Sequence, residues 1–464
     1  MQKAHCSKQR AVSFCLGEIV ELLKNDIIEL TIESQGAFAE GVAHTDEGVT
    51  VFVKGALTGE RVRAKVIGVK PKYCFAILEK LLTKSPYRVQ PPCPLFGKCG
   101  GCDLMHLNYV QQLEHKKNIV KQTLEHVGNL TNIEVNDVVP SKDVLRYRNK
   151  LSLPVRLGKD GTTEIGLFAK NSHRIISTTD CLLQYEWNVK LIESVKDLMQ
   201  RKKFTPYDEN SGKGDIRHIV AREVGGHTAV TIVATKFLDI QSLDLNFLDR
   251  HSLYLNINQR RDNVILGDEW KKIKGTSDEI EEDGLRFSIH PSAFFQVNDE
   301  VRKELYSSVV KNRECSSAIE AYSGAGLLSA YLAQKSQEVF GIEINAQAHA
   351  SAQNLAKQNN LSNMYPILGD VTKKIEQVIK ACQCEPFIVL DPPRSGLNEE
   401  VIKALCQAKA KEIVYISCNP ATLARDLSHF VRNDYEIKSV TPFDMFPQTT
   451  NVETLVVLSH KKPH

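Results

Sequence analysis

Hydrophobic and polar residues alternate with a period of two in the first part of the chain, from about residue 27 to residue 84. The segment 61–67, for example, alternates basic and apolar residues, and Gly55 and Gly59 end the apolar run before it. A period of two puts successive side chains on opposite faces of a strand, and glycine suits the turns between strands. The pattern therefore predicts five short strands in a small closed or nearly closed β-barrel.

The pattern changes twice further along the chain. Residues 145–290 mix strand-like runs with helical stretches, whereas helices and strands alternate regularly after about residue 292, which is typical of a parallel α/β sheet. The sequence therefore predicts an α/β multidomain protein with an OB-like barrel, a central α+β domain and a Rossmann-like domain. We expect an N-terminal extension over residues 1–24, the barrel over 25–84, the central domain over 85–290 and the last domain over 291–464.

Composition excludes several classes of protein. The 464 residues are 42% apolar and 25% charged, which is ordinary for globular domains. Twelve cysteines without a secretory signal indicate reduced thiols in a cytoplasmic setting, and no apolar run reaches the ~20 residues of a membrane span. The net charge is only +3, so a nucleic-acid partner would need a local basic patch. Arg61, Arg63 and Lys65 share one strand face and form either such a patch or a solvated surface.

Three cysteines lie within ten residues in a loop rich in glycine and proline, at positions 93, 99 and 102. Thiolates that converge in this way are better suited to binding a metal than to packing against one another. Structural zinc usually draws on two close pairs of ligands, whereas this spacing is nearer to that of an iron–sulfur cluster with a remote fourth ligand. Cys181 is the only candidate for that ligand between Cys102 and Cys315. The pattern favours iron–sulfur over zinc, with unrelated free thiols as a third possibility.

A second motif predicts a cofactor crevice in the last domain. An apolar strand leads into Gly324 and Gly326, and the next strand ends in Glu343, where an acid commonly binds ribose hydroxyls. The third glycine of a dinucleotide site is missing, so an adenosyl ligand without phosphates fits better. Asp370 follows a third strand and is expected near the adenine. Each acid alone would more often be a surface residue at a strand end.

Three reactive side chains follow further strands of this domain. Asp391 ends a buried strand and precedes two prolines, which stiffen the turn. Cys418 ends the next strand before an Asn-Pro turn, and this position in the crevice makes it a candidate nucleophile. A lone cysteine would more often be a small buried hydrophobe. Glu453 begins an apolar strand, where burial would raise its pKa to suit a general base.

A thiolate beside a methyl donor suggests methylation of a pyrimidine at C5. Uracil C5 is too weak a nucleophile to accept a methyl group directly, but addition of a thiolate to C6 converts the ring into an enolate that can. A base must then remove the C5 proton before the thiol leaves. Cys418, the cofactor and Glu453 would meet these three needs.

With these motifs together, the chain resembles the RNA uridine-5-methyltransferase family over about residues 27–462, in the branch with a TRAM domain and an iron–sulfur cluster. It is most similar to the bacterial 23S ribosomal RNA (uracil-5-)-methyltransferases. The resemblance implies that residues 27–84 form the TRAM barrel, that Cys418 is the nucleophile and that Glu453 is the base. It implies a 4Fe-4S cluster held by Cys93, Cys99, Cys102 and Cys181. It also implies S-adenosylmethionine contacts from Gln296, Tyr322, Glu343, Asp370 and Asp391.

The resemblance further implies that a helix over about 108–140 packs on the catalytic domain. RNA is the expected partner, with 23S ribosomal RNA as the first choice, and the sequence gives no sign of a membrane or of an obligate protein partner. A transfer-RNA T-loop enzyme and a dual-site ribosomal RNA enzyme are the alternatives within this activity. A non-catalytic RNA-binding assembly factor is the alternative outside it.

Overall fold

The computed structural model describes residues 22–158, 160–311 and 313–461. Most of the expected N-terminal extension therefore lies outside the described residues. The described chain forms two compact units, and the predicted domain boundaries stay a prediction. The first contains the barrel up to residue 97 together with residues 102–115 and 448–450, and the second contains residues 98–101, 116–447 and 451–461.

The first unit is built on one six-stranded sheet with the order β1-β5-β6-β4-β3-β2. Its strands are β1 (Ile27–Thr31), β2 (Ser34–Gln35), β3 (Gly41–His44), β4 (Thr50–Lys54), β5 (Arg61–Val69) and β6 (Tyr73–Thr83). Alternate residues fill the interior, as the period of two predicts. The buried set includes Leu30, Ile32, Val51, Val53, Val62, Ala64 and Val66.

One continuous segment joins the two edges of this sheet. β1 pairs with β5, whereas β2, which is separated from β1 by two residues, pairs with β3 at the opposite edge. Between them the Ile32 N–H donates to the Glu60 carbonyl at 2.8 Å, and the Glu33 N–H donates to the Val42 carbonyl at 2.9 Å. Both edges of the sheet are therefore hydrogen-bonded to the same stretch of chain, which closes the barrel and removes exposed strand edges.

A helix and a second sheet follow. Helix α1 spans Tyr109–His126, and the second sheet has the order β13-β12-β11-β10-β7-β8-β9. Its strands are β7 (Lys150–Leu157), β8 (Thr163–Phe168), β9 (Ile175–Ser177), β10 (Ile216–Val224), β11 (His227–Ala234), β12 (Arg250–Ile257) and β13 (Glu269–Gly275). Helix α2 (Trp187–Lys202) covers one face, where its Leu191 and Val195 share a core with Leu151 and Ile219. Alternation puts Lys150 on the other face.

The third sheet contains the strands whose ends carry the predicted cofactor and catalytic residues. A hairpin of β14 (Ile280–Glu282) and β15 (Leu285–Phe287) precedes it. Its strands are β16 (Cys315–Ala321), β17 (Ser336–Glu343), β18 (Met364–Leu368), β19 (Phe387–Leu390), β20 (Glu412–Ser417), β21 (Tyr435–Phe443) and β22 (Glu453–His460). The helices are α3 (Asp299–Val310), α4 (Leu327–Ala333), α5 (Ala346–Gln358), α6 (Val371–Ala381), α7 (Glu399–Ala408) and α8 (Pro420–Arg432). The order is β18-β17-β16-β19-β20-β22-β21, and β22 runs antiparallel to both neighbours.

Helix α1 is shorter than the helix that the resemblance implied. It ends at His126, and the chain then turns away through Gly128, which lies too close to the Leu124 carbonyl for a side chain, and Asn129, which has a φ of +51°. The following residues are extended instead, and the Asn136 N–H donates to the Val440 carbonyl at 2.9 Å. Before the helix ends, Leu124 packs in the same core as residues of α8.

A buried ion pair connects α1 with the end of β21. Lys116 and Asp444 have no exposed side-chain surface and are hydrogen-bonded to each other, and the Lys116 ammonium also donates to the Phe446 carbonyl at 3.0 Å. Burial lowers the pKa of Lys116, and the Asp444 carboxylate opposes that shift. None of the helices in the described residues has both the length and the apolar composition needed to cross a bilayer.

Candidate active site

The predicted residues meet at one edge of the third sheet because of its strand directions. Ala321 of β16 pairs with Ile342 of β17 and with Leu390 of β19, so the residues that follow these strands emerge side by side. β20 continues the parallel series, and β22 returns to the same edge from the opposite direction. The first residue of β22 therefore lies beside the last residues of the parallel strands.

The turn after β16 has an unusual backbone. Tyr322 has a φ of +67°, which is rare for a non-glycine residue and is often found at functional sites. Gly324 also has a positive φ, and a side chain there would meet open space. At Gly326, by contrast, a side chain would come within 2.7 Å of Ala352. Gly326 thus serves packing, whereas Gly324 leaves room for a ligand to approach the backbone.

Glu343 and Asp370 lie on successive strand ends, as predicted. The Glu343 carboxylate is half-buried and accepts hydrogen bonds from the Gly324 N–H at 2.9 Å and from the Asn345 N–H at 2.6 Å. Asp370 caps helix α6, where its carboxylate accepts the Thr372 N–H at 2.9 Å. Asp370 therefore has a structural role in the ligand-free protein, and Glu343 is held at the glycine turn.

The reactive groups form one electrostatic cluster. Ser417 pairs with Thr454, so Cys418 and Glu453 are the next residues outward on neighbouring strands. Glu453 is 2% exposed, and its burial raises its pKa well above the usual value; the nearby Asp391 carboxylate raises it further. Burial likewise raises the pKa of Asp391. The two acids therefore hold protons more tightly than free carboxylates do.

The Cys418 thiol is half-buried and is affected by the same groups. Burial raises its pKa most, and the Glu453 and Asp391 carboxylates raise it further. The Arg394 guanidinium interacts with the sulfur and lowers the pKa. The thiol is therefore protonated at neutral pH in the ligand-free protein, in contrast to the thiolate that the sequence argument assumed.

Arg394 is a residue of this cluster that the sequence did not indicate, since its contact with Cys418 depends on the fold. The side chain is exposed, but its backbone is fixed, because the Arg394 carbonyl accepts the Asn419 side-chain amide at 2.9 Å. Asn419 also caps helix α8 through the Ala421 N–H. The signal in the sequence was the position of Arg394 three residues after Asp391, in the turn at the same sheet edge.

Glu320 was also missed, because it lies inside an apolar strand. It is 4% exposed, accepts a hydrogen bond from the Ser329 hydroxyl, and has its pKa raised to about 8, chiefly by burial and then by Asp391 and Glu343.

Gln296 is also buried, in the segment before α3, and its carbonyl accepts the Asn149 amide at 3.0 Å. Among the described residues, no hydrogen bond joins the Gln296 side chain to Cys418, Glu453 or Asp391.

The predicted metal ligands stay a prediction. Cys93, Cys99, Cys102 and Cys181 are all half-buried thiols. The Gly101 N–H donates to the Cys99 sulfur at 3.3 Å, and the Cys181 N–H donates to the Asn188 side chain at 3.1 Å. Within the ranges that the structure describes, no group of three or more His, Cys, Asp or Glu residues has the arrangement of a metal site.

Known proteins resemble this chain over nearly its whole length. A tRNA (uracil-5-)-methyltransferase family model matches residues 236–461, and a TRAM domain model matches residues 21–78. An uncharacterized RNA methyltransferase of Listeria innocua is 39% identical over 95% of this chain and 99% of its own length. One of Halalkalibacterium halodurans is 37% identical over 94% of this chain and 98% of its own.

A solved structure agrees with the fold. The tRNA (uracil-54, C5)-methyltransferase of Pyrococcus abyssi, in complex with S-adenosyl-L-homocysteine, matches 93% of this chain and 99% of its own, with 28% identity and a TM-score of 0.72. The fold and the sheet edge thus define an S-adenosylmethionine-dependent RNA methyltransferase with an N-terminal TRAM domain. The chain belongs to the family of RNA methyltransferases that these relatives represent, and its residues 236–461 match the tRNA (uracil-5-)-methyltransferase domain.

These comparisons confirm the predicted TRAM domain, methyltransferase domain and cofactor. They also favour the enzyme over the non-catalytic assembly factor. The RNA target, the roles of single residues and the iron–sulfur cluster stay predictions.

Proposed function

We propose that this enzyme methylates C5 of a uridine in 23S ribosomal RNA through a transient bond between Cys418 and C6 of the base. The observation that carries the proposal is the register of β20 and β22, which makes Cys418 and Glu453 neighbours beside Asp391. A nucleophile, a buried acid with a raised pKa and a cofactor crevice at one sheet edge are the parts that this chemistry needs.

The reaction consists of an addition, a substitution and an elimination. The Cys418 sulfur adds to C6, and the electrons of the C5–C6 bond move into an enolate on the ring. C5 would then displace the methyl group of bound S-adenosylmethionine, whose methyl–sulfur bond would break with its electron pair staying on sulfur, so that S-adenosyl-L-homocysteine is left. Glu453 as a carboxylate removes the proton from C5, and the electron pair of that C–H bond re-forms the C5–C6 double bond as the sulfur leaves.

The protonated thiol must lose its proton when it attacks. Arg394 supports this step, because a guanidinium beside sulfur stabilises the thiolate relative to the thiol. Asp391 and Glu453 oppose the thiolate while both are charged, so the cluster favours a single negative charge among the three groups. The proton of Cys418 therefore has acceptors within the same cluster.

The chain's own residues explain how the cofactor would be held. Gly324 leaves open space at the turn after β16, and Glu343 offers a half-exposed carboxylate to ribose hydroxyls. The remaining contacts proposed from the resemblance are Gln296, Tyr322, Asp370 and Asp391.

Transfer RNA is the second candidate substrate. The solved structure that covers 93% of this chain is a tRNA (uracil-54, C5)-methyltransferase, and this observation favours the T-loop. In both RNAs the target base must leave its stack to reach a thiol in a crevice. The chemistry at the sheet edge is the same for both substrates.

A covalent trap tests the chemistry. RNA that contains 5-fluorouridine should form a stable adduct with the enzyme, because fluorine at C5 blocks the proton removal. We expect intact-mass spectrometry to detect this adduct for the wild type and for the Cys406→Ala variant, which changes a half-buried thiol of α7, and to detect none for Cys418→Ala. An adduct that persists in Cys418→Ala would refute the assignment.

A transfer assay tests the target. Transcripts of unmodified 23S ribosomal RNA and of transfer RNA are incubated with the enzyme and with cofactor carrying a tritiated methyl group. Labelled 5-methyluridine in the ribosomal transcript alone supports the proposal. Label in the transfer RNA alone supports the second candidate, and label in both supports a dual-target enzyme.

We also propose that Cys93, Cys99, Cys102 and Cys181 hold a 4Fe-4S cluster. Four thiols are the donor set that such clusters use, and the Gly101 N–H bound to the Cys99 sulfur is the kind of hydrogen bond that cluster sulfurs receive. Anaerobically purified protein should contain iron and sulfide, and Cys102→Ser should lose both whereas Cys384→Ser should not. Stoichiometric zinc without iron would assign the site to zinc instead.

A further inference from the structure

Two cationic side chains face each other on the second sheet. Lys150 of β7 is the direct cross-strand partner of Arg222 of β10, so the two side chains extend from the same face. Arg222 is only 5% exposed. Like charges directly opposite each other destabilise a sheet, and burial increases the penalty because water no longer screens them. A protein that keeps such a pair is expected to compensate it with an anion.

The protein itself supplies little compensation. None of the three guanidinium nitrogens of Arg222 has a hydrogen-bond partner in the described residues. The Lys150 ammonium makes no hydrogen bond or ion pair to any residue that the structure describes. Other arginines of the same unit differ, because Arg156 pairs with Glu209, Arg302 with Glu282 and Arg146 with Asp180.

The pKa shifts of the two cations agree with this lack of compensating partners. The pKa of Lys150 is lowered to about 8, chiefly by burial and then by the charges of Arg222 and Arg148, with no acid opposing them. Burial also lowers the pKa of Arg222 to about 10. Asp299 is the one acid that opposes the shift of Arg222, but its carboxylate already accepts the Asn149 amide at 2.9 Å and the Tyr185 hydroxyl at 3.4 Å.

We propose that Arg222, Lys150 and Arg148 form a binding site for a phosphate group of the substrate RNA. The Arg222 guanidinium is buried and its N–H groups have no partner in the described residues, and such a group can bind two phosphate oxygens at once, with an ammonium adding a point charge beside it. The proposal rests on the proposed function, because it takes RNA as the ligand.

The position of the site fits a role in orienting the RNA. Asn149 lies between Arg148 and Lys150, and its backbone N–H donates to the Val297 carbonyl at 2.9 Å. Its side chain donates to the Gln296 carbonyl at 3.0 Å. The phosphate site is thus connected directly to the segment that the resemblance assigns to the cofactor. A phosphate bound here would fix the RNA backbone relative to the crevice.

Binding measurements with Lys150→Met and Arg222→Met test the site, with Lys190→Met as the matched control. Lys190 is an exposed lysine on helix α2, which covers the opposite face of the same sheet. The probe is a fluorescein-labelled 20-nucleotide oligouridine, titrated by anisotropy over a series of salt concentrations. We expect each variant to bind about tenfold more weakly and the slope of log K against log salt to fall by about 1. Lys190→Met should match the wild type.

Thermal melting separates this site from a structural role of the two cations. Without ligand, Lys150→Met should melt at or above the temperature of the wild type, because it removes a repulsion. At constant ionic strength, inorganic phosphate should raise the melting temperature of the wild type more than that of either variant. A lower melting temperature with unchanged oligouridine affinity would mean a structural role and overturn the proposal.

One further outcome would also overturn the assignment to RNA. If phosphate stabilises only the wild type but oligouridine affinity and salt slope are unchanged in both variants, the site takes free phosphate and the assignment to RNA is wrong. Neither measurement depends on methyl transfer. A missing 5-fluorouridine adduct would therefore refute the proposed chemistry without affecting the result for this site.

Discussion

Buried charges in two regions of the second unit follow opposite rules. At the end of β21, the Lys116 ammonium and the Asp444 carboxylate are wholly buried and paired with each other. At the edge of the third sheet, the Asp391 and Glu453 carboxylates raise the pKa of the Cys418 thiol, and Asp391 also raises the pKa of Glu453. Opposite charges that compensate each other serve the fold. Like charges gathered in a crevice cost stability and are retained where chemistry needs them.

The largest expected effect is on activity at the sheet edge. Cys418→Ala should reduce methyl transfer by about 10⁴-fold or more, because the variant cannot form the covalent intermediate. Its unfolding free energy should stay close to that of the wild type, since the thiol is half-buried and serves no ion pair. Single-turnover methyl transfer and urea unfolding measure the two quantities. A large loss of stability would show that Cys418 serves the fold as well.

Glu453→Gln should reduce turnover by about 10²- to 10⁴-fold, the usual contribution of a general base. The methylated covalent intermediate should accumulate, because the C5 proton is no longer removed. The melting temperature should not fall, since the change removes one of two like charges. Glu436→Gln, at an exposed carboxylate, is the control for both measurements. Turnover at the wild-type rate would exclude Glu453 as the base.

Lys116→Met should lower the unfolding free energy by about 3–5 kcal/mol, because it leaves the buried Asp444 carboxylate without its ammonium partner. Urea unfolding measures the loss. Lys117→Met, which breaks a pair with the exposed Asp137, should cost less than about 1 kcal/mol. A double variant with Asp444→Asn should be more stable than Lys116→Met alone. Equal losses at positions 116 and 117 would contradict the comparison.

Glu320 predicts a dependence of stability on pH. Its pKa is about 8 in the folded protein against 4.5 for a glutamate side chain exposed to solvent, so the folded state binds more protons between these pH values. Stability from this group is therefore greatest below pH 4.5 and is lost as the pH rises toward 8, by up to about 1.4 kcal/mol per pH unit. Glu320→Gln should raise the melting temperature more at pH 9 than at pH 5. The exposed Glu376→Gln should show no such gain.

The smallest effect is expected at Asn419 beside the acid cluster, because its side chain both caps helix α8 and donates to the Arg394 carbonyl. Asn419→Ala should lower the unfolding free energy by about 1 kcal/mol, the usual value for an N-cap. It should also reduce methyl transfer several-fold, because the Arg394 carbonyl loses its hydrogen bond. Asn419→Asp keeps the cap and should recover the stability but not all of the activity.

The sequence predicts the strands well because their side chains alternate or form short buried runs. It also finds Asp391, Cys418 and Glu453, because each lies at a strand end and two of them precede prolines. It missed Glu320, because one acid inside an apolar strand gives no local signal. The overestimate of α1 came from the resemblance, and the helix ends where Gly128 closely approaches the Leu124 carbonyl.

Pairings across strands cannot be predicted from local patterns. Lys150 and Arg222 lie 72 positions apart, and only the register of β7 and β10 shows that they are neighbours. The contact of Arg394 with Cys418 likewise depends on two turns meeting at one edge. The sign of the Cys418 pKa shift follows from burial and from three neighbours, so the sequence could not give it.

The insertion of β22 between β20 and β21 has a consequence for biosynthesis. Glu453 follows every other residue of the candidate site in chain order, so the ribosome releases it last. A nascent chain can therefore contain the Cys418 thiol and the turn at Gly324 before it contains Glu453. On the proposed mechanism such a chain could bond to uridine without completing the release. β22 fills the gap between β20 and β21, so its insertion completes the sheet and brings Glu453 into the candidate site in the same step.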